Sequence, residues 1–331
     1  MIHLTYYTSL LFSCLHAVYA FCLKQKLTVD EFNTNVVKFQ WEYLLVWKGA
    51  CKVLVVAGAG GFFGAYIMKA AAEKNIPAIG LYHSDAPEGG MNFDICNDTD
   101  VENLSHVVKE NAPCDIIWLI ASHNPDFVGE HPDEAYNINV TRLGYILDRL
   151  DKSCVRRFIL ASSDTVYGES RGAVAFCEND KTEPVNIYGE HKLCAEREVL
   201  SRGYTAARFP YMYGKSLCEK KHFFDELLCK LENGERIYML TDYVRSALSY
   251  EQAAEKVIKL LEIPPYNGCV NICGDKAVSK YDIGLEAAAL AGVSDGLVVP
   301  TNFEQLGIFK EKRAAVLLMN GSLFKNLTKN I

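Results

Sequence analysis

From residue 52 onward, short apolar runs rich in Val, Ile and Leu alternate with longer stretches whose apolar positions recur every three or four residues. The runs "KVLVVA" (52–57), "PAIGLY" (77–82), "DIIWLI" (115–120), "RRFILA" (156–161) and "YTAARF" (204–209) predict strands. Segments near 62–74, 99–112, 132–151 and 186–202 predict helices, several opened by an Asp, Thr or Pro that suits a helix start. Strands buried on both faces and separated by helices build βαβ units, so the pattern predicts an α/β fold with a doubly wound parallel sheet. After Pro210 the alternation weakens. The stretches "FFDELLCKLENG" (223–234) and "YEQAAEKVIKLLE" (250–262) predict helices, and "YNGCVNICG" (266–274) predicts a turn and a strand. These shorter elements suit a smaller C-terminal lobe over 216–331, some of it returning to a nucleotide-binding domain over 51–215. No Gly/Ser/Pro linker separates the two parts.

Composition narrows the class without changing that picture. A chain of 331 residues accommodates one or two domains, and 50% hydrophobic with 23% charged residues is ordinary for a folded protein. A net charge of -7 without a dense Lys/Arg run excludes nucleic acid and anionic membranes as partners, because both demand a basic footprint. Twelve cysteines are scattered, with no CxxC pair; the nearest two, Cys269 and Cys273, are spaced CxxxC. They read as reduced thiols, with no metal site, in a cytoplasmic protein. The first 50 residues are read as an N-terminal extension, either a targeting segment or poorly ordered. Its apolar stretch "SLLFSCLHAVYAFC" (9–22) is shorter than the about 20 residues a membrane span needs, and it carries His16. No Lys or Arg precedes Lys24, against a signal peptide, although "VYA" (18–20) resembles a cleavage site and keeps secretion as the alternative.

Three motifs carry chemistry. A strand, the run Gly58-Ala59-Gly60-Gly61-Phe62-Phe63-Gly64 and a helix follow one another. In that context Gly58 serves the tight turn, Gly61 a close approach of a pyrophosphate, and Gly64 the packing of helix on strand, with the helix N-terminus facing the phosphates. The second strand ends in "LYHSD", where His83, Ser84 or Asp85 would lie near the adenosine ribose; the missing Arg or Lys leans toward NAD over NADP. In "IYGEHK" (187–192), Tyr188 and Lys192 stand four residues apart on one helix face, a spacing that lets the ammonium lower the phenol's pKa toward the range of a general acid/base. "SSDTVYG" (162–168) follows the fourth strand and places Ser162 and Ser163 where such sheets bind ligands.

Together "GAGGFFG", "SSDTVYG" and "YGEHK" resemble an extended short-chain dehydrogenase/reductase with a Rossmann sheet over about 52–330. "NPDFVGEHPDEAYNINV" (124–140), "PVNIYGEHKLCAEREVL" (184–200), "RFPYMYG" (208–214) and "NICGDKAVSKYDI" (271–283) are similar to the dTDP-4-dehydrorhamnose reductase group. That group includes the regulatory beta subunit of methionine adenosyltransferase. The resemblance implies a catalytic Ser163, Tyr188 and Lys192. It also implies NAD or NADP held by Gly58, Gly61, Phe62, Phe63, Gly64, His83, Ser84, Asp94, Ala121, Tyr188, Lys192 and Pro210, with Asp94 facing the adenine. Arg245 and Arg313 are its substrate-binding candidates. The implied activity is reduction of a keto group on a nucleotide-linked sugar. The alternative is a non-catalytic subunit that holds NAD(P) and docks on a methionine adenosyltransferase catalytic subunit; a homodimer is also compatible. Two features depart from the group. "RAAVLLMN" (313–320) keeps Arg313 but lacks the proline and asparagine that accompany it, and "VYG" is more similar to sugar-nucleotide epimerases.

Overall fold

A computed structural model describes residues 53–331 apart from 85 and 308, so the extension expected over 1–50 lies outside the described residues. The central element is a seven-stranded sheet. Its strands are β1 (Val53–Ala57), β2 (Ala78–Tyr82), β3 (Met91–Asn92), β4 (Cys114–Trp118), β5 (Val155–Ser163), β6 (Thr205–Phe209) and β11 (Gly268–Asn271). They lie in the order β11-β6-β5-β4-β1-β2-β3, every pair parallel. This is the doubly wound sheet expected, and its chain order reverses between β1 and β4. A crevice therefore opens beyond the carboxyl ends of these two strands.

The helices are α1 (Phe62–Glu73), α2 (Asp98–Glu110), α3 (Pro125–Glu130), α4 (Pro132–Tyr136), α5 (Arg142–Arg149) and α6 (Ile187–Ser201), followed in the C-terminal part by α7 (Phe223–Glu232), α8 (Tyr250–Glu262) and α9 (Lys280–Ala291). Successive β1 side chains point to opposite faces, so the sheet has two cores. Leu54 and Val56 join Ile67 of α1 with Ala253, Val257 and Ile258 of α8. Val55 and Ala57 join Leu104 of α2, Leu143 and Ile146 of α5, Val199 of α6 and the Trp118–Phe158 stack. Each fully buried Leu, Ile or Val contributes about 1.5–3 kcal/mol of transfer free energy, which is why near-continuous apolar strands form the centre. The stretch 132–151, predicted as one helix, is α4 and α5 joined by a π turn over Asn137–Thr141. There Asn139 clamps the loop after β4, accepting from the Ser122 amide at 2.7 Å and donating to its carbonyl at 3.0 Å.

A third core lies in the C-terminal part. Phe224, Leu227 and Leu231 of α7 pack on Ile237 and Met239 of β8 (Ile237–Leu240), on Ile283 and Ala287 of α9, and on Val298 of β13 (Val298–Thr301). Three short strands, β12 (Val278–Ser279), β9 (Val244–Arg245) and β14 (Val316–Leu317), form a sheet that carries Arg245 toward the end of β5, and β7 (Met212–Tyr213) pairs in parallel with β10 (Leu248–Ser249). Ser279 caps α9 and Ser249 caps α8, each in a capping box that satisfies the first-turn amides.

Candidate active site

The glycine turn has the geometry its spacing suggests. Gly58 has φ +90°, a left-handed conformation that side-chain-bearing residues rarely adopt. A Cβ on Gly64 would lie 2.2 Å from the Gly58 carbonyl oxygen, so only glycine lets α1 approach β1 this closely. Gly61 differs. It is exposed, and a Cβ there would meet only the Gly58 oxygen at 3.3 Å. Gly61 also caps α1 without a side-chain hydrogen bond, which leaves first-turn amides facing the crevice. Phe62 and Phe63 follow it; Phe63 packs into the core against Phe209, and Phe62 faces His222 with ring centres 4.6 Å apart. His83 and Ser84 are exposed beyond β2, and Asp85 lies outside the described residues. Asp94 accepts from the Cys96 amide at 2.8 Å; Ala121 follows β4, and Pro210 is buried just after β6. The described candidates stand at the carboxyl end of the sheet.

Ser163 is the last residue of β5, and Tyr188 and Lys192 project from the first turns of α6. The Ser163 side chain lies near enough to the Tyr188 phenol to favour its ionised form, against the larger opposing effect of burial. Ser163 Oγ donates to Asp164 Oδ1 at 3.2 Å and accepts from the Thr165 amide. Lys192 is buried; its Nζ donates to the Ala161 carbonyl at 2.8 Å and lies 5.8 Å from the Tyr188 ring centre. The three predicted catalytic side chains therefore converge. The expected electrostatics do not follow: burial first, and the Asp164 carboxylate second, push the Tyr188 phenol above its ordinary range. Burial also brings the Lys192 ammonium down to about 8, with the Glu196 carboxylate opposing. Loss of water outweighs the lysine's attraction in the crevice. Ser162 is not in the crevice. It donates at 2.5 Å to Glu196, which holds Arg208 through two hydrogen bonds of 2.8 and 2.6 Å, and Arg208 donates to Tyr167, which reaches Asn271. This buried network ties β5, α6, β6 and β11 together behind the catalytic face.

Several residues at the site escaped the sequence reading. Asp164 is buried, and burial raises its carboxyl to about 6 although Arg245 Nε lies 3.5 Å from Oδ2. Burial brings His123, beyond β4, and His222, at the start of α7, below the ordinary imidazole range. Lys280 lies among the rings of Tyr211, Phe223 and Tyr243. A fixed neighbour four residues away marks Tyr188 and Lys192, but nothing local marks these residues. Of the two substrate candidates, Arg245 is buried, donates to the carbonyls of Val244, Ala315 and Ala314, and stacks 3.9 Å from the Tyr243 ring centre. Arg313 pairs with Asp126 at 3.0 Å and lies over Phe309.

A parallel sheet with a glycine turn at its first crossover and Ser, Tyr and Lys beside its switch point defines the extended short-chain dehydrogenase/reductase class. Within it the chain belongs to the family described as "RmlD substrate binding domain", whose model matches residues 52–322. The chain is 30% identical over 248 residues to methionine adenosyltransferase 2 subunit beta of Pongo abelii, covering 71% of each chain. Its fold matches the dTDP-4-dehydrorhamnose reductase of Bacillus anthracis, solved in complex with NADP, with a TM-score of 0.71, 20% identity and coverage of 83% of this chain and 92% of the other. It also matches MoeE5, solved in complex with UDP-glucuronic acid and NAD, with a TM-score of 0.68, 19% identity and coverage of 83% and 92%.

Proposed function

We propose that the chain is an NAD(P)H-dependent reductase acting on a keto group of a nucleotide-linked sugar. The observation that carries this reading is the grouping of Ser163, at the carboxyl end of β5, with Tyr188 and Lys192 of α6, in a parallel sheet whose first crossover is the glycine turn. The residues fit a dinucleotide. The exposed backbone at Gly61 and the uncapped amides of α1 suit a pyrophosphate, and His83, Ser84 and Asp94 would serve the adenosine end. Held by these residues, a dihydronicotinamide would supply the hydride that the keto carbon needs. Ser163 holds the carbonyl, Tyr188 donates the proton to its oxygen, and Lys192 orients the nicotinamide ribose. A phenol held above its ordinary range keeps its proton until the alkoxide develops, which suits a donor. The family match, the fold neighbours solved with NADP or NAD, and the UDP-sugar in MoeE5 support this assignment. The described cysteines are all free, which supports a reducing, cytoplasmic setting, and among the described residues no helix is long and apolar enough to cross a membrane.

The test is cofactor oxidation by the purified chain with a panel of dTDP- and UDP-linked keto sugars. Turnover with any of them supports the reading; cofactor binding without turnover across the panel sinks it. The resemblance to the beta subunit favours a second reading, in which NAD(P) is a fixed ligand and the chain docks on a methionine adenosyltransferase catalytic subunit.

A further inference from the structure

The glycine turn is not held by the sheet alone. Phe62, the residue after Gly61, meets the His222 ring edge to face with centres 4.6 Å apart, and both rings pack on Tyr250, the first residue of α8. Tyr250 also stacks on Tyr66 of α1 at 5.7 Å, and the Tyr66 hydroxyl donates to the Lys215 carbonyl at 2.8 Å. The segment 215–222, which leads from β7 into α7, is thereby fastened to α1 at both its ends. One fastening depends on a proton. His222 caps α7: its Nδ1 accepts from the Phe224 amide at 3.4 Å, while Asp225 accepts from the His222 amide at 2.8 Å and from the Ser216 amide at 3.0 Å. Nε2 lies 3.0 Å from the Tyr250 hydroxyl. A ring nitrogen that accepts an amide proton carries none, so this imidazole is neutral and its one proton, on Nε2, is donated to Tyr250. An imidazolium has two donors and no acceptor. Protonation of Nδ1 therefore ends the cap and sets a cation against the positive end of α7.

We infer that His222 is a positioning residue for the cofactor turn: while neutral it clasps 215–222 and Phe62 against α1, and on protonation it loosens the turn and weakens the hold on the dinucleotide. This assignment rests on the proposed binding of NAD(P) at the glycine turn. The groups around the ring set its direction. Burial first brings His222 below the ordinary imidazole range, against Asp225 of its own helix; His123 beyond β4 and Lys280 of α9 act with burial, and Glu226 acts against it. Burial pushes the Tyr250 hydroxyl above its ordinary range, so it stays neutral throughout. A histidine of this kind supports the closed arrangement above its ordinary value of about 6.5 and withdraws that support as pH falls through its folded value. Cofactor affinity is therefore full at neutral pH and reduced in mildly acid solution.

The experiment is calorimetric titration of the full chain with NAD+ and with NADP+ at pH 7.5 and 5.5. The expected result is an affinity about ten-fold lower at pH 5.5 for the wild-type chain. His222→Asn, whose amide oxygen still caps α7 but takes up no proton, should show little difference between the two pH values. The 2′-phosphate of NADP+ and the Asp164 carboxyl titrate in the same range, but both are common to wild type and variant and cancel in the comparison. Equal wild-type affinity at the two pH values, or an equal loss in wild type and variant, overturns the assignment. Backbone hydrogen exchange of the wild-type chain gives a second readout that needs no variant. Residues 215–226 should lose protection at pH 5.5, after correction for the intrinsic rate, and a weakened cofactor with that protection unchanged overturns the clasp. Uptake of neither dinucleotide at pH 7.5 overturns the cofactor reading and the clasp's role with it, whereas binding that ignores pH overturns the clasp alone.

Discussion

Tyr188 is the residue on which the chemistry depends. Tyr188→Phe keeps the ring and removes the proton donor, so turnover should fall by about 10²–10⁴, the usual worth of general acid catalysis, while cofactor affinity by fluorescence titration should hardly change. Asp164 makes a different kind of prediction. Its carboxyl titrates at about 6 in the folded chain, against about 3.9 in an ordinary aspartate, so the folded state holds the proton more tightly than the unfolded one. The stability this contributes is complete below about pH 4 and is lost as pH rises through 6. At neutral pH the buried charge is therefore a cost of up to about 3 kcal/mol. Asp164→Asn should raise the melting temperature at pH 7.5, and the gap over wild type should close as pH falls to about 4. A gap of equal size at both pH values would show that the carboxylate's charge is not its source. Retaining such a costly group beside Ser163 and Tyr188 is the pattern of a site that trades stability for function.

Among the elements, the β1–α1 unit separates packing from binding at two glycines three residues apart. Gly64→Ala places a Cβ 2.2 Å from the Gly58 carbonyl oxygen and must push α1 off the sheet. It should destabilise by about 1–3 kcal/mol or more in denaturant unfolding, despite alanine's better helix propensity. At exposed Gly61 a Cβ would meet only the Gly58 oxygen, at 3.3 Å, so Gly61→Trp should lower the unfolding midpoint far less than Gly64→Ala while abolishing NAD(P)H binding. Behind the catalytic face, Arg208→Met would strand Glu196 without its cation. The expected loss is about 3–5 kcal/mol, measured the same way. These elements were legible because their patterns are local. The strand read as 52–57 spans Val53–Ala57, and the helix read as 250–262 is Tyr250–Glu262. What the sequence hid has physical reasons. The two-residue strands β9, β12 and β14 are too short to show any period, and the alanine-rich α9 lacks contrast between its faces. The split of 132–151 falls where Asn139 reaches back to the Ser122 backbone, a partner 17 residues away. Asp164 and Arg245 meet only through tertiary structure. A lone Lys280 in "SKYDI" carries no sign that three rings will surround it.

For the whole molecule, the question is whether the crevice turns a substrate over or only holds a ligand while the surface serves a partner. If the chain acts as a subunit, affinity capture from native extract should retain a methionine adenosyltransferase catalytic subunit, and Tyr188→Phe should leave that capture intact. If it acts as a reductase, no such partner is needed and the crevice must transfer hydride. The most direct measurement supplies the full chain with NADPH or NADH deuterated at the transferable position and a panel of nucleotide-linked keto sugars, and follows the label by mass spectrometry. The predicted result is deuterium bound to carbon in the sugar, abolished in Tyr188→Phe while cofactor binding persists. Deuterium that stays on a bound cofactor throughout the panel, in wild type as in the variant, would contradict the reductase assignment.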